Sequence, residues 1–121
     1  MARCDQGYLC RVCGSEVEDI TDSDLYLQYV IGWIDPETLH TVRECHLRCN
    51  PTLAQFIDDE RFLPKVIVEG EFARQNLDPQ FVSERTKLIN RGYARLWEIF
   101  NEESPPAVMD YPLDEVRDHW K

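Results

Sequence analysis

The sequence predicts an α+β fold: a small cysteine knuckle and a β-hairpin lead into a short helix, and a long C-terminal amphipathic helix packs on them. Three observations predict it. Closely paired cysteines stand near the N-terminus, an aromatic and β-branched stretch with turn residues occupies 25 to 42, and an apolar helical period runs from Pro79 to about Asn101. A chain of 121 residues is about one domain's worth. Within 1–121 the order suggests a cysteine-rich module at 1–59, a connector at 60–78 and a helical part at 79–121.

The hydrophobic share of 43%, with three Trp, five Tyr and five Phe, is that of a globular protein. No apolar run approaches the roughly 18 residues expected of a membrane span. The segment Met1 to Gly7 is polar and lacks an apolar secretory core, which predicts a cytoplasmic, reducing setting. There, five cysteines are expected as thiols or metal ligands, and their odd number argues against a fully paired disulfide framework.

The first element is the knuckle Cys10-Arg11-Val12-Cys13-Gly14, whose two-residue gap lets both sulfurs reach one ion at ~2.3 Å. Gly14 supplies the turn, since glycine accepts positive φ. Next, 25 to 34 is rich in aromatic and β-branched residues, and Asp35-Pro36-Glu37-Thr38 is turn chemistry before Leu39 to Val42. This predicts the hairpin. A helix capped by Ser23 competes, but Gly32 and the pair Val30-Ile31 count against it.

The third element, His46-Leu47-Arg48-Cys49, repeats the two-residue gap. Asn50-Pro51 then reads as a helix start, with Leu53, Phe56 and Ile57 as the buried stripe of a helix ending near Asp59. Val66-Ile67-Val68 is expected as a short strand ended by Gly70. Asp78-Pro79 opens the long helix, in which Leu88, Ile89, Leu96, Trp97 and Phe100 form the stripe expected to pack on the module. Gly92 inside it costs ~1 kcal/mol against Ala. Ser104-Pro105-Pro106 stops it, and a last short helix from about Leu113 to Trp120 is expected to dock Val116 and Trp120.

Together the two short-gapped pairs nominate Cys10, Cys13, His46 and Cys49 as ligands of one structural Zn2+, because thiolate and imidazole donors suit tetrahedral zinc and four protein ligands leave no open position. Cys45 and Cys4 are the residues that could replace one of the four, although neither stands at a two-residue gap from a partner. His40 and His119 are lone histidines, expected as packed or solvated side chains.

In order, the knuckle, the hairpin and the helix-borne second pair resemble the treble-clef class of zinc fingers over about half the chain. The resemblance names a fold class and no specific family. It departs at one point. Treble clefs place the second pair in the first helical turn, whereas Pro51 would then clash with the carbonyl four residues back, so the pair is expected on a loop before the helix.

Charge narrows function. The net charge is -10, and residues 1 to 60 hold four basic and twelve acidic groups. Such a surface repels phosphate backbones. Lys87, Arg91 and Arg95 recur every four residues as a basic ridge, which is expected as a solvated helix face or as a docking stripe. Neither a deaminase HxE with PCxxC nor a spare histidine beside the metal is present, so no catalytic residue is nominated and the chain is read as a non-enzyme. The leading expectation is a zinc-stabilised protein-interaction or adaptor module with an unidentified protein partner and no membrane. A nucleic-acid-associated protein using Lys87, Arg91 and Arg95 is the alternative, with a metal-dependent enzyme behind both.

Overall fold

The aromatic stretch at 25 to 42 folds as a helix and a turn, not as a β-hairpin. The computed structural model describes residues 9–63, 65–104 and 106–119, the side chains at 40 and 119 excepted. Among the described residues there is no β-strand, only two isolated antiparallel bridges, Leu9 with Glu16 and Ser23 with His46. The fold is therefore mainly helical rather than α+β, and the treble-clef likeness fails at its hairpin.

Helix α1 spans Asp24–Val30. Ser23 decides its start, because its Oγ accepts the Tyr26 N–H at 3.0 Å and satisfies a donor that the first turn leaves free. Gly32 lies beyond the helix at φ +87°, so it ends the helix instead of interrupting it. Val30 and Ile31 fall at the last helical position and the cap, where β-branched crowding costs little. Leu25, Leu27, Tyr29, Val30 and Ile31 are all buried. A helix covered around most of its circumference gives a nearly continuous apolar run, which imitates a buried strand in sequence. The Asp35 turn is real, with the Thr38 N–H bonded to Asp35 Oδ1 at 2.7 Å, but it leads into a 3-10 turn at Thr38–His40.

Helix α2 is a single turn, Pro51–Ala54, shorter than the expected run to Asp59. Asn90 provides part of the reason: its Oδ1 accepts the N–H groups of Asp58 and Asp59 at 2.8 and 3.1 Å, and its Nδ2 donates to the Phe56 carbonyl at 2.8 Å. Leu53, Phe56 and Ile57 are buried nonetheless. The strand expected at Val66-Ile67-Val68 does not form, and Ile67 is 83% exposed.

Helix α3 spans Pro79–Asn101, with Asp78 Oδ2 capping the Phe81 N–H at 3.0 Å. Its buried residues are Ile89, Gly92, Tyr93, Leu96 and Ile99; Leu88 and Trp97 flank that stripe and Phe100 stands exposed. Helix α4, Asp114–His119, lies against the end of α1, where the Leu113 N–H bonds the Val30 carbonyl at 3.0 Å. Val116 packs over Gly32, and Trp120 is outside the described residues.

Gly92 sits where α3 crosses α1. A Cβ there would stand 2.4 Å from Ile31 Cγ2 and 2.9 Å from Leu27 Cδ1, well inside the ~3.5–4.0 Å of an ordinary carbon contact. Ile31 Cγ2 is held on a branched Cβ and cannot swing away. Gly92→Ala should therefore destabilise the protein, since overpacking of ~1–3 kcal/mol outweighs the ~1 kcal/mol that alanine gains in helix propensity. Urea unfolding of the variant should show a lower midpoint, and a raised midpoint would contradict the close crossing.

Candidate metal centre

Cys10 and Cys13 converge because the chain between them turns back on itself. The Gly14 N–H donates to the Cys10 carbonyl at 2.9 Å and the Cys10 N–H to the Ser15 carbonyl at 2.8 Å, while the Leu9–Glu16 bridge closes the loop. Gly14 has φ +77° with nothing within 4 Å of a hypothetical Cβ, so the turn requires its conformation and not its small size.

His46 and Cys49 sit at the start and end of a 3-10 turn whose helical residues are Leu47–Cys49, the Cys49 N–H donating to the His46 carbonyl at 3.0 Å. That turn finishes before Pro51, which takes the first position of α2 without displacing a carbonyl. Two backbone bonds hold the second pair in place: the Arg11 N–H to the Glu44 carbonyl at 2.9 Å, and the Asp24 N–H to the Cys45 carbonyl at 2.8 Å.

The outcome is one cluster. The ligand atoms of Cys10, Cys13, His46 and Cys49 all lie within 4.8 Å of one another, and the four could hold a metal ion. Tetrahedral ligation at ~2.3 Å separates sulfurs by about 3.8 Å, so a modest closing of the set suffices. Cys13 Sγ and Cys49 Sγ stand 3.3 and 3.9 Å from His46 Nδ1. The other ring nitrogen, Nε2, lies 2.9 Å from the Glu16 carbonyl. A carbonyl only accepts, so Nε2 carries a proton and Nδ1 is the nitrogen turned toward the sulfurs. Metal-binding imidazoles are oriented by this kind of second contact. Burial opposes a charged ring, but the Glu16 carbonyl and the Cys10 and Cys13 sulfurs outweigh it and raise the imidazole, so a metal would take the place of a proton at Nδ1.

Cys10 is buried, while Cys13 is exposed and His46 and Cys49 are half-buried, which places the cluster at the surface with one sulfur beneath it. Burial opposes charge on Cys10, but hydrogen bonds from the backbone of Cys13, His46 and Val12 overcome it and bring the thiol down to about 5. The Ser15 backbone lowers Cys13 likewise. Cys49 is pushed up to about 12 by burial and then by the Cys10 and Cys13 sulfurs. A divalent cation would reverse that, because a coordinated thiol is deprotonated.

Cys45 is buried and outside the set. Its Sγ donates to the His46 carbonyl at 3.3 Å, and burial, with Asp24 and Cys10 nearby, raises it to about 12. Cys4 and the side chains of His40 and His119 lie outside the described residues. The N–H groups of Val12 and His46 each lie 3.4 Å from Cys10 Sγ; an amide aimed at a thiolate is what the CxxCG knuckle leads one to expect of Val12, whereas the His46 N–H and the Glu16 carbonyl had no sequence signal, since every residue but proline carries such groups.

No known protein family, curated protein or solved structure matches this chain.

Cys45→Ser should keep full metal content, because serine can still donate to the His46 carbonyl. Cys49→Ser should lose most of it. Elemental analysis of both variants checks this, and the opposite pattern would move the fourth ligand to Cys45.

Proposed function

We propose that Cys10, Cys13, His46 and Cys49 hold one structural zinc ion, and that the scaffold it stabilises is a protein-interaction module, not an enzyme. The observation that carries the metal reading is the donor set: three sulfurs and one imidazole lie within 4.8 Å of one another, with the Glu16 carbonyl accepting a hydrogen bond from Nε2 and leaving Nδ1 as the nitrogen toward the sulfurs. Thiolate and imidazole donors suit zinc, and four protein ligands leave no position for a reactive water.

Two observations favour a protein partner over a nucleic acid. The net charge is -10. The basic ridge is also largely engaged within the fold: Arg91 pairs with Glu115, and Arg95 pairs with Glu98 at 3.0 Å while donating to the carbonyls of Asp110 and Tyr111 at 2.9 Å. That leaves Lys87 as the ridge member exposed without such a bond among the described residues. Polyanion binding draws its affinity from many phosphate contacts, so one cation contributes little. Exposed Trp33, Phe72 and Phe81 supply the aromatic surface that protein interfaces use.

Protein purified without added metal should contain one zinc per chain, and cobalt added to the zinc-free protein should give thiolate-to-metal charge-transfer bands that disappear when zinc is added. Chelation should lower the thermal midpoint, because a ligand bound only by the folded state stabilises that state. A content near zero or near two, or a midpoint indifferent to verified zinc removal, would refute the structural-zinc reading.

A further inference from the structure

An open cleft of about 370 Å³ lies beside the metal-bearing turn, its floor formed by Leu53 and Phe56 and its walls by Trp33, Phe72, Leu77 and Phe81. Asn50, which directly follows Cys49, and Thr52 line it too. Its volume is at the lower end of the roughly 300–1,000 Å³ of ligand sites, enough for one large side chain with its neighbours. Trp33, Phe72 and Phe81 are 39%, 62% and 40% exposed, so the aromatic lining faces solvent.

Arg85 distinguishes this cleft from an ordinary apolar hollow. Its guanidinium carbon lies 4.4 Å from the centre of the Trp33 ring and 4.5 Å from that of Phe81. Arg61, Arg74, Arg91, Arg95 and Arg117 each form an ion pair with a carboxylate. Arg85 forms none among the described residues, in a chain with 23 acidic groups.

The chemistry of that arrangement is specific. Stacking engages the faces of the guanidinium and leaves its N–H edge, the geometry that binds a carboxylate through two parallel bonds. The two rings also hold the side chain in place, which reduces the freedom lost on binding. The polar groups around it are occupied within the fold: Gln55 Nε2 bonds the Thr52 and Phe72 carbonyls, Gln55 Oε1 accepts from the Arg74 N–H, and Asn50 Nδ2 bonds Asp24. What the cleft offers an incoming group is aromatic surface and one oriented cation.

We propose that this cleft docks a protein segment presenting an Asp or Glu beside a large apolar side chain, the carboxylate meeting the Arg85 edge and the apolar group entering between Phe72, Leu77 and Phe81. This rests on the interaction-module reading and gives it a surface and a partner chemistry. A nucleic-acid strand would also offer an anion and a ring, but its repeated phosphates would meet a protein of charge -10, whereas one carboxylate meets Arg85 alone.

The test uses the full chain, zinc-loaded and with its metal content measured, as bait for a displayed library of random dodecapeptides. Selected peptides should share an acidic residue next to Trp, Phe, Tyr or Leu. A synthetic copy of the best one should bind roughly tenfold or more weakly when its acid is made an amide, and likewise to Arg85→Gln. Phe72→Ser, at a side chain already exposed, provides a second variant that spares the core and should weaken binding too. Unchanged amide spectra outside the cleft verify that each variant is folded. Failure to select any peptide, selection without the carboxylate, or full binding by both variants would overturn the proposal. So would Arg85-dependent binding of an oligothymidylate in place of peptides. A folded protein that lacks zinc yet selects such peptides would refute the metal reading and leave the cleft standing, while a zinc-loaded protein that selects none would do the reverse.

Discussion

Helix α1 must be covered on almost every side, and the rest of the structure is arranged to do so. Leu25, Leu27, Tyr29, Val30 and Ile31 cannot all face one neighbour, because successive residues on a helix point about 100° apart. Helix α3 covers one side through the close crossing at Gly92. The C-terminal segment covers another, tied down where the Tyr29 hydroxyl donates to the Val108 carbonyl at 2.9 Å and Leu113 bonds Val30. The loop that carries the second ligand pair covers the start, through the Ser23–His46 bridge. Lose any one of these and apolar surface on α1 returns to water, at ~25 cal/mol for each Å² exposed.

Two buried carboxylates connect that start to the metal centre. Asp24 accepts from Asn50 Nδ2 at 3.0 Å and from Gln28 Nε2 at 2.8 Å, and Glu44 accepts from the Ser23 hydroxyl at 2.7 Å. Burial raises both acids above the usual carboxylate range, and these hydrogen bonds oppose the rise. A polar group taken out of water is tolerated only when it is bonded, so these pairings fix where the ligand loop meets α1. Asn50 does this between Cys49 and the cleft. The geometry of the metal turn and the position of the cleft wall are thus set by the same few residues.

Acidity of the chain is also handled locally. Glu115, Glu98, Asp58, Asp59, Asp110 and Asp114 each neutralise an arginine on or near the helices. Pairs this exposed contribute little stability individually, with a typical value of ~0–1 kcal/mol. They also engage Arg91 and Arg95 of the α3 ridge, whereas Arg85, held against two rings, forms no ion pair among the described residues.

Sequence alone determined what depends on neighbours a few residues away. Two-residue gaps place Cys10 with Cys13 and His46 with Cys49, Asp78-Pro79 starts α3 and Pro51 starts α2, since capping and ring geometry act within one turn. Tertiary structure decided what depends on distant partners. It settled 24 to 30 as a helix, because burial on most sides erases the periodicity that separates helix from strand, so the Ser23 cap that the sequence does show could not decide between them without the packing. It turned Gly92 from an apparent cost into the contact point of two helices and shifted the buried stripe from Phe100 to Ile99. It excluded Cys45 from the cluster, since adjacent side chains on a bent backbone diverge however close their numbers. And it brought Trp33, Phe72, Phe81 and Arg85 together from three separate stretches, a meeting that no spacing in the sequence encodes because only the folded chain makes those residues neighbours.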